Sequence, residues 1–292
     1  MMKILTFLSL LVMPLVLVGY DGENGRQAFF SGVDYSITTK FDRSFFGKEG
    51  NAEITWQLVV NGSELEKGKI SPDNQRITFK VNDLRPGIIV SGNIRLDIRR
   101  RQRPMILSFF SRDPFSEMRL LKRIKIGLYP ADSALNGLLD RYKLSYEKVE
   151  SLDQFRGQIL FISGIDFAAN PQIFNRLLRN MPRGMKIIVL PPVKGTLKFP
   201  VGMFTKTMML PENGILELRR EFDILPLAYN INMEVSGNSI VLKFGDKGNG
   251  SGCVSFDVGQ KGKLIFSGWS LEDLTNPTGI YLLRYYIQSD IK

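Results

Sequence analysis

The sequence predicts a β-sandwich followed by an α/β domain, whose doubly wound sheet is mostly parallel and carries an antiparallel extension. Three observations predict it. Arg156–Pro192 reads as strand, helix, strand, the unit from which parallel sheets are built. Residues 28–110 carry short stretches of alternating apolar and polar residues separated by turn signals, the mark of a sandwich. From Ile124 onward that period-two rhythm gives way to strands alternating with helical patterns, which places a domain boundary near residues 115–122.

In the sandwich region, taken as residues 25–115, Ile54, Trp56, Leu58 and Val60 share one face of a strand. Asn61-Gly62 is a hairpin turn signal, and Gly68–Pro72 brings the chain back. Ile77, Phe79 and Val81 alternate in the next strand. Arg85-Pro86-Gly87 makes a turn, and Ile94, Leu96 and Ile98 alternate again. Trp56 has the shape of a sugar-stacking platform, but its place in an alternating apolar face assigns it to the core. Arg99, Arg100, Arg101 and Arg103 end the strand as a basic cluster, a candidate polyanion contact set against the plainer reading of a solvated strand end. Pro104, Asp113-Pro114 and Pro130 punctuate a connector over residues 104–122.

The α/β region, residues 122–292, falls in the doubly wound, flavodoxin-like class. Ile124–Leu128 is a buried strand. Asp132 is placed to cap a helix with Ala134, Leu135, Leu138, Leu139 and Tyr142 on one face, and Ser145–Val149 is a second strand. Ile159–Ser163 is an apolar run of the kind buried on both faces in parallel sheets. Asn170-Pro171 signals a helix start, Ile173, Phe174, Leu177, Leu178 and Met181 repeat at helical spacing, and Gly184 stops the helix. Ile187–Leu190 is the next strand, ended by Pro191-Pro192. Thr205–Leu210 and Ile215–Leu218 read as strands around a Pro211–Gly214 turn. Ile240–Phe244, Cys253–Val258 and Lys263–Ser267 read as an antiparallel continuation of the sheet. Asn276-Pro277 repeats the helix-start signal, and residues 278–288 form a closing helix with Ile280, Leu283 and Ile287 inward.

At 292 residues, 43% apolar and 23% charged, the chain has globular composition. Its formal charge of +10 is read as solubility before anionic partners. Histidine is absent and Cys253 is the sole cysteine, so Ser-His-Asp and Cys-His mechanisms, an internal disulfide and a thiolate metal cluster are excluded. Cys253 is expected as a buried strand residue. No cofactor and no metal are expected. Residues 1–19 fit a signal peptide: Lys3, then the apolar run Ile4–Val18, then Gly19 before a polar stretch. The run is short for a membrane span. An extracytoplasmic location, periplasmic or secreted, is therefore expected, with anchoring by an uncleaved N-terminal segment as the alternative.

Ligands of open α/β sheets bind outside the carboxyl ends of the parallel strands. Asp132 and Asp166 are the candidate catalytic carboxylates there, against the plainer reading of a helix cap and a turn residue. Ser133, Ser163, Lys194 and Trp269 are the candidate ligand-binding residues. The Gly245–Gly252 loop lacks a phosphate-binding pattern, and Ser163-Gly164 is not a hydrolase nucleophile elbow.

Two stretches, Trp56–Ile70 (WQLVVNGSELEKGKI) and Arg76–Gly87 (RITFKVNDLRPG), resemble the immunoglobulin-like sandwich domains of β-galactosidase-type glycoside hydrolases. Residues 122–292, with the ending Gly262–Ile287 (GKLIFSGWSLEDLTNPTGIYLLRYYI), resemble the class I glutamine amidotransferase-like fold, which such enzymes carry as an accessory domain. The Cys-His-Glu triad of amidotransferases maps onto no position here, and the catalytic TIM barrel of the glycosidases does not fit in this length. The resemblance thus implies a pseudoenzyme: an exported, non-catalytic binding or assembly protein of the cell envelope. Its expected partner is a glycan or an envelope protein, with no nucleic acid, and with membrane contact only through an uncleaved N-terminal segment. The alternatives are a carboxylate-dependent, glycosidase-like hydrolase and polyanion binding through Arg99–Arg103.

Overall fold

A computed structural model describes the chain apart from residues 1–15, 21–25, 99–103, 131–132, 182–183, 201–205, 210–227, 246–250, 259–260, 271–273, 275 and 289–292. The fold is β-rich, with five sheets among the described residues. It divides into two compact units: Met1–Leu84 with Ile89–Phe109, and Arg85–Ile88 with Phe110–Lys292. The turn at Arg85–Ile88 therefore belongs to the second unit, although both flanking strands belong to the first.

The first unit holds two sheets. One has the order β1-β3-β6, from strands β1 (Val16–Tyr20), β3 (Asp34–Thr39) and β6 (Arg76–Lys80). The other has the order β2-β8-β7-β4-β5, from β2 (Arg26–Phe30), β8 (Met105–Phe110), β7 (Ile89–Leu96), β4 (Ile54–Val60) and β5 (Ser63–Ile70). The alternating apolar residues of both sheets meet in one core, including Ile37, Trp56, Leu58, Ile77, Phe79, Ile94, Leu107 and Phe109. Burying one face of each strand is what period-two patterning dictates. Phe29 lies at 4.6 Å from Tyr35 and 5.5 Å from Phe79, ring centre to ring centre. The β4–β5 hairpin turns on Asn61 (φ 48°) and Gly62 (φ 83°), both left-handed as a two-residue turn of this kind requires. Trp56 is buried and stands opposite Gly68, where a Cβ would come within 2.8 Å of the indole ring.

Part of the expected connector is structured: residues 105–110 form β8, inside the five-stranded sheet. Pro104 precedes that strand, where the missing N–H costs no ladder bond. Val16–Tyr20, inside the expected signal segment, pairs in parallel with Tyr35–Thr39 of β3.

The second unit is built on a seven-stranded sheet of order β10-β9-β11-β13-β20-β19-β16. Its strands are β9 (Ile126–Tyr129), β10 (Tyr146–Lys148), β11 (Ile159–Ile162), β13 (Lys186–Val189), β16 (Lys206–Met209), β19 (Cys253–Val258) and β20 (Gly262–Ser267). The first five in that order run parallel, β19 runs antiparallel to β20, and β16 runs antiparallel to β19 and so in the same direction as the first five. Helix α1 (Ser133–Arg141) follows β9, and α2 (Gln172–Asn180) joins β11 to β13; β12 (Ile165–Asp166), which follows β11, pairs in parallel with β14 (Val193–Lys194), which follows β13. The closing helix is α3 (Pro277–Gln288). Ile173, Phe174, Leu177 and Leu178 of α2 pack with Leu160, Ile162, Ile187 and Val189, one face of the strands. Leu135 of α1 meets Phe161, which points to the other face. In α3, Ile280, Leu283 and Ile287 are fully buried.

Three expectations are corrected here. Lys263–Ser267 lies in β20, which pairs in parallel with β13 and so belongs to the parallel part of the sheet. Ile240–Phe244 lies in β18 (Ser239–Gly245), which forms a separate antiparallel sheet with β15 (Thr196–Pro200) and β17 (Asn230–Ser236). Helix α2 starts without a side-chain cap: Pro171 stands at its N-cap, and the Asn170 carbonyl accepts the Ile173 N–H at 3.2 Å. The second Asn-Pro signal does cap, since Asn276 Oδ1 accepts the Gly279 N–H at 2.8 Å. The expected strand Ile215–Leu218 lies outside the described residues.

Candidate functional site

The strand register defines the edge where a ligand would be sought. Tyr129, Ile162, Val189 and Phe266 stand side by side at the carboxyl ends of β9, β11, β13 and β20. Beyond them come Pro130, Ser163, Leu190 and Ser267. The connection order reverses between β9 and β11, because the chain passes from β9 to β10 on one side and to β11 on the other. Ligands of such sheets enter at that reversal.

Here the reversal is filled. Leu128, Pro130, Leu135, Phe161, Ile162, Ser163 and Leu190 close around a space with no room for a water molecule. Further along, Phe167 stacks on Phe244 at 5.9 Å and meets Phe266 at 6.3 Å, and Tyr229 meets Phe244 at 5.6 Å. These rings belong to a core shared with Leu197, Phe199, Ile240 and Leu242 of the three-stranded sheet, which covers this end of the strands. A depression of about 260 Å³ lies instead beside edge strand β10, lined by Glu147, Glu150, Ser151, Gln154 and Phe155 among others. It is below the roughly 300–1,000 Å³ usual for ligand clefts.

Ser163, Asp166, Lys194 and Trp269 all follow, or end, strands at this edge. Ser163 is buried, and its N–H donates to the Tyr129 carbonyl at 3.1 Å. Asp166 Oδ1 accepts the N–H groups of Ala168 at 2.9 Å and Ala169 at 3.0 Å, so the carboxylate holds the turn that leads into α2. Lys194 is exposed and pairs in register with Asp166. Trp269 is half-buried, and its backbone N–H donates to Ser267 Oγ at 3.3 Å. Asp132 lies outside the described residues, as do the side chain of Ser133 and the cluster Arg99, Arg100, Arg101 and Arg103. Among the described residues no group of three or more His, Cys, Asp or Glu could hold a metal ion.

A buried polar cluster behind the sheet carries no sequence signal. Tyr286 of α3 donates its hydroxyl to Ser267 Oγ at 2.9 Å and lies 3.9 Å from Cys253 Sγ. Tyr229 donates to the Ser267 carbonyl at 2.9 Å. Burial pushes the Cys253 thiol up to about 12, and burial raises the Tyr286 and Tyr229 hydroxyls as well. A thiol held protonated in this way is a packing group, whereas a nucleophile needs its thiolate. Lys186 is also buried. Its ammonium donates to the Tyr286 and Ile287 carbonyls at 3.0 and 3.4 Å, complementing the carbonyl end of α3.

No family model matches the chain, and no curated protein matches it. Among solved structures it is similar to one described as Drosophila OTK, extracellular domains 3-5, at 9% identity and a TM-score of 0.19. The match covers 85% of this chain and 62% of that one. A TM-score this low does not mark a shared fold.

Proposed function

We propose that the chain is an exported, non-catalytic binding or assembly protein of the cell envelope. In this reading an immunoglobulin-like sandwich precedes a doubly wound, flavodoxin-like domain related to the glutamine amidotransferase fold, and the partner is a glycan or an envelope protein. One observation carries the reading. The crevice where that fold would bind a substrate is occupied by the chain's own leucines with Pro130, Phe161 and Ile162, with no space for water. Asp166, the described candidate acid or base, is engaged by two backbone N–H groups. The parallel strand order supports the domain type, and the apolar run Ile4–Val18 supports export. No helix among the described residues is long and apolar enough to cross a membrane.

The test assays the purified chain on a panel of glycosides and amides, and in parallel for retention on immobilised envelope polysaccharide and envelope-protein extracts. Retention without turnover is the expected outcome. Turnover that is lost in Asp166→Asn overturns the reading in favour of a carboxylate-dependent hydrolase.

A further inference from the structure

The opposite edge of the same sheet has a different character. Ile126, Ile159, Lys186 and Lys263 stand in register at the amino ends of β9, β11, β13 and β20. Lys125, Arg156 and Lys261 lie just before three of those strands, and all three are exposed. The Gln158 N–H donates to the Lys125 carbonyl, and a Cβ at Gly184 would lie 3.3 Å from Lys261 Cβ, so these segments adjoin. Each helix runs back against its strand and ends at this edge, which adds Arg141 and Lys143 from the end of α1 and Arg179 from the end of α2, all exposed.

None of these six cations forms an ion pair with a described residue, whereas three nearby carboxylates have partners. Asp140 accepts the Tyr146 hydroxyl at 3.3 Å, Asp153 pairs with Arg176 at 2.8 Å and Asp257 faces Lys263 at 3.6 Å. The helix ends explain Arg141 and Arg179, since cations are favourable there. They do not explain Lys125 or Lys261, and Arg156, whose guanidinium donates to the Asp153 and Phe155 carbonyls at 2.6 and 2.9 Å, still has no anionic partner among the described residues.

We propose that this amino-terminal edge of the seven-stranded sheet docks the chain on an anionic lipid bilayer. The three strand steps from β9 to β20 span about 14 Å at roughly 4.8 Å per step, with helix ends on both faces. The cations therefore form a two-dimensional field rather than a line, which suits a diffuse sheet of head groups. Clustered Lys and Arg are attracted to such surfaces at short range, and stable attachment takes a second signal. An uncleaved N-terminal segment, whose residues Ile4–Leu15 precede strand β1, would supply one. This surface goes beyond the envelope reading and does not depend on it, because the vesicle assay reads the edge whatever the chain's partner or location.

The test sediments the full chain with vesicles of phosphatidylcholine alone or with 30% phosphatidylglycerol, at low and high salt. Binding is expected only with the anionic lipid, weakening as salt rises. The Lys125→Gln/Arg156→Gln/Lys261→Gln variant should bind about 100-fold more weakly. The control Lys40→Gln/Lys48→Gln/Lys198→Gln, which removes equal charge elsewhere, should lose less than about threefold. A matching circular dichroism spectrum shows that each variant is folded. Equal losses in the two variants, or equal binding to both vesicle types, overturn the proposal. So does tighter binding to duplex DNA that disappears in the edge variant, an outcome that assigns the edge to nucleic acid.

Discussion

At the scale of single residues, the chain spends its reactive groups on structure. Asp166 is the clearest instance, with one oxygen shared between two N–H groups at the entrance to α2. Asp166→Ala removes both bonds and should cost about 1–2 kcal/mol, read as a lower urea midpoint with an unchanged slope. Cys253 is another. Its thiol is buried and raised to about 12 from an ordinary 9.0, so native protein should resist thiol reagents until it is unfolded. The same shift fixes a pH dependence. Between pH 9 and 12 the unfolded chain gives up the thiol proton that the folded chain keeps. The unfolded state then binds fewer protons, and stability falls as pH rises, by about 1.4 kcal/mol per pH unit for this group alone. Tyr229 and Tyr286 act in the same direction. Melting temperatures recorded from pH 8 to 12 should decline, and Cys253→Ala should flatten the slope whatever it does to the absolute value.

At the scale of elements, what was legible depended on whether the determinant is local. The β4–β5 hairpin was legible because Asn61-Gly62 and the alternation of Ile54, Trp56 and Leu58 are neighbours in sequence. Gly68→Ala tests its packing: a methyl group aimed at the Trp56 ring should cost about 1–3 kcal/mol. Helix α3 was legible for the same reason. Asn276→Ala should lose about 1 kcal/mol with its cap, while Asn170→Ala, at the similar but uncapped start of α2, should lose much less in the same denaturant titration. Pairing partners were not legible. Nothing in Lys263–Ser267 distinguishes a parallel neighbour from an antiparallel one, because β13 lies far back in the chain. Strands β15 and β17 escaped because each buries few residues: Leu197 and Phe199 in one, Ile231 in the other. The candidate site was legible as a place, from the strand ends. Its closure was not, because Phe244 and Tyr229 arrive from outside the βαβ unit. Lys186 reads as a solvated strand start, and only the distant end of α3 explains its burial.

At the scale of the whole molecule, each unit has its own core, yet the division does not follow a single cut in the chain. Arg85–Ile88 leaves the first unit to join the second, where the Ile88 carbonyl accepts the Ser111 N–H at 3.1 Å and the Gly87 N–H donates to the Asp113 carbonyl at 3.2 Å. Tyr281 of α3 adds its hydroxyl, donating to the Ile88 and Ser111 carbonyls at 3.4 and 3.3 Å. Arg284 of the same helix donates to the Pro114 carbonyl. The sequence places the boundary by the change in hydrophobic rhythm, near 115–122, and a fragment made on that basis would omit both the turn and Ser111. A fragment of residues 110–292 keeps Ser111 and Tyr281 but lacks Ile88 and Gly87, so the Ser111 N–H and the Asp113 carbonyl lose their partners. At roughly 1 kcal/mol for each lost bond, that fragment should unfold about 2–3 kcal/mol below the corresponding transition of the intact chain. Joining residues 85–88 to it through a flexible Gly-Ser linker should restore part of the difference. If the two fragments unfold at the same urea concentration, the excursion is an incidental turn. A recovered midpoint shows that the second unit needs this borrowed segment to complete its fold.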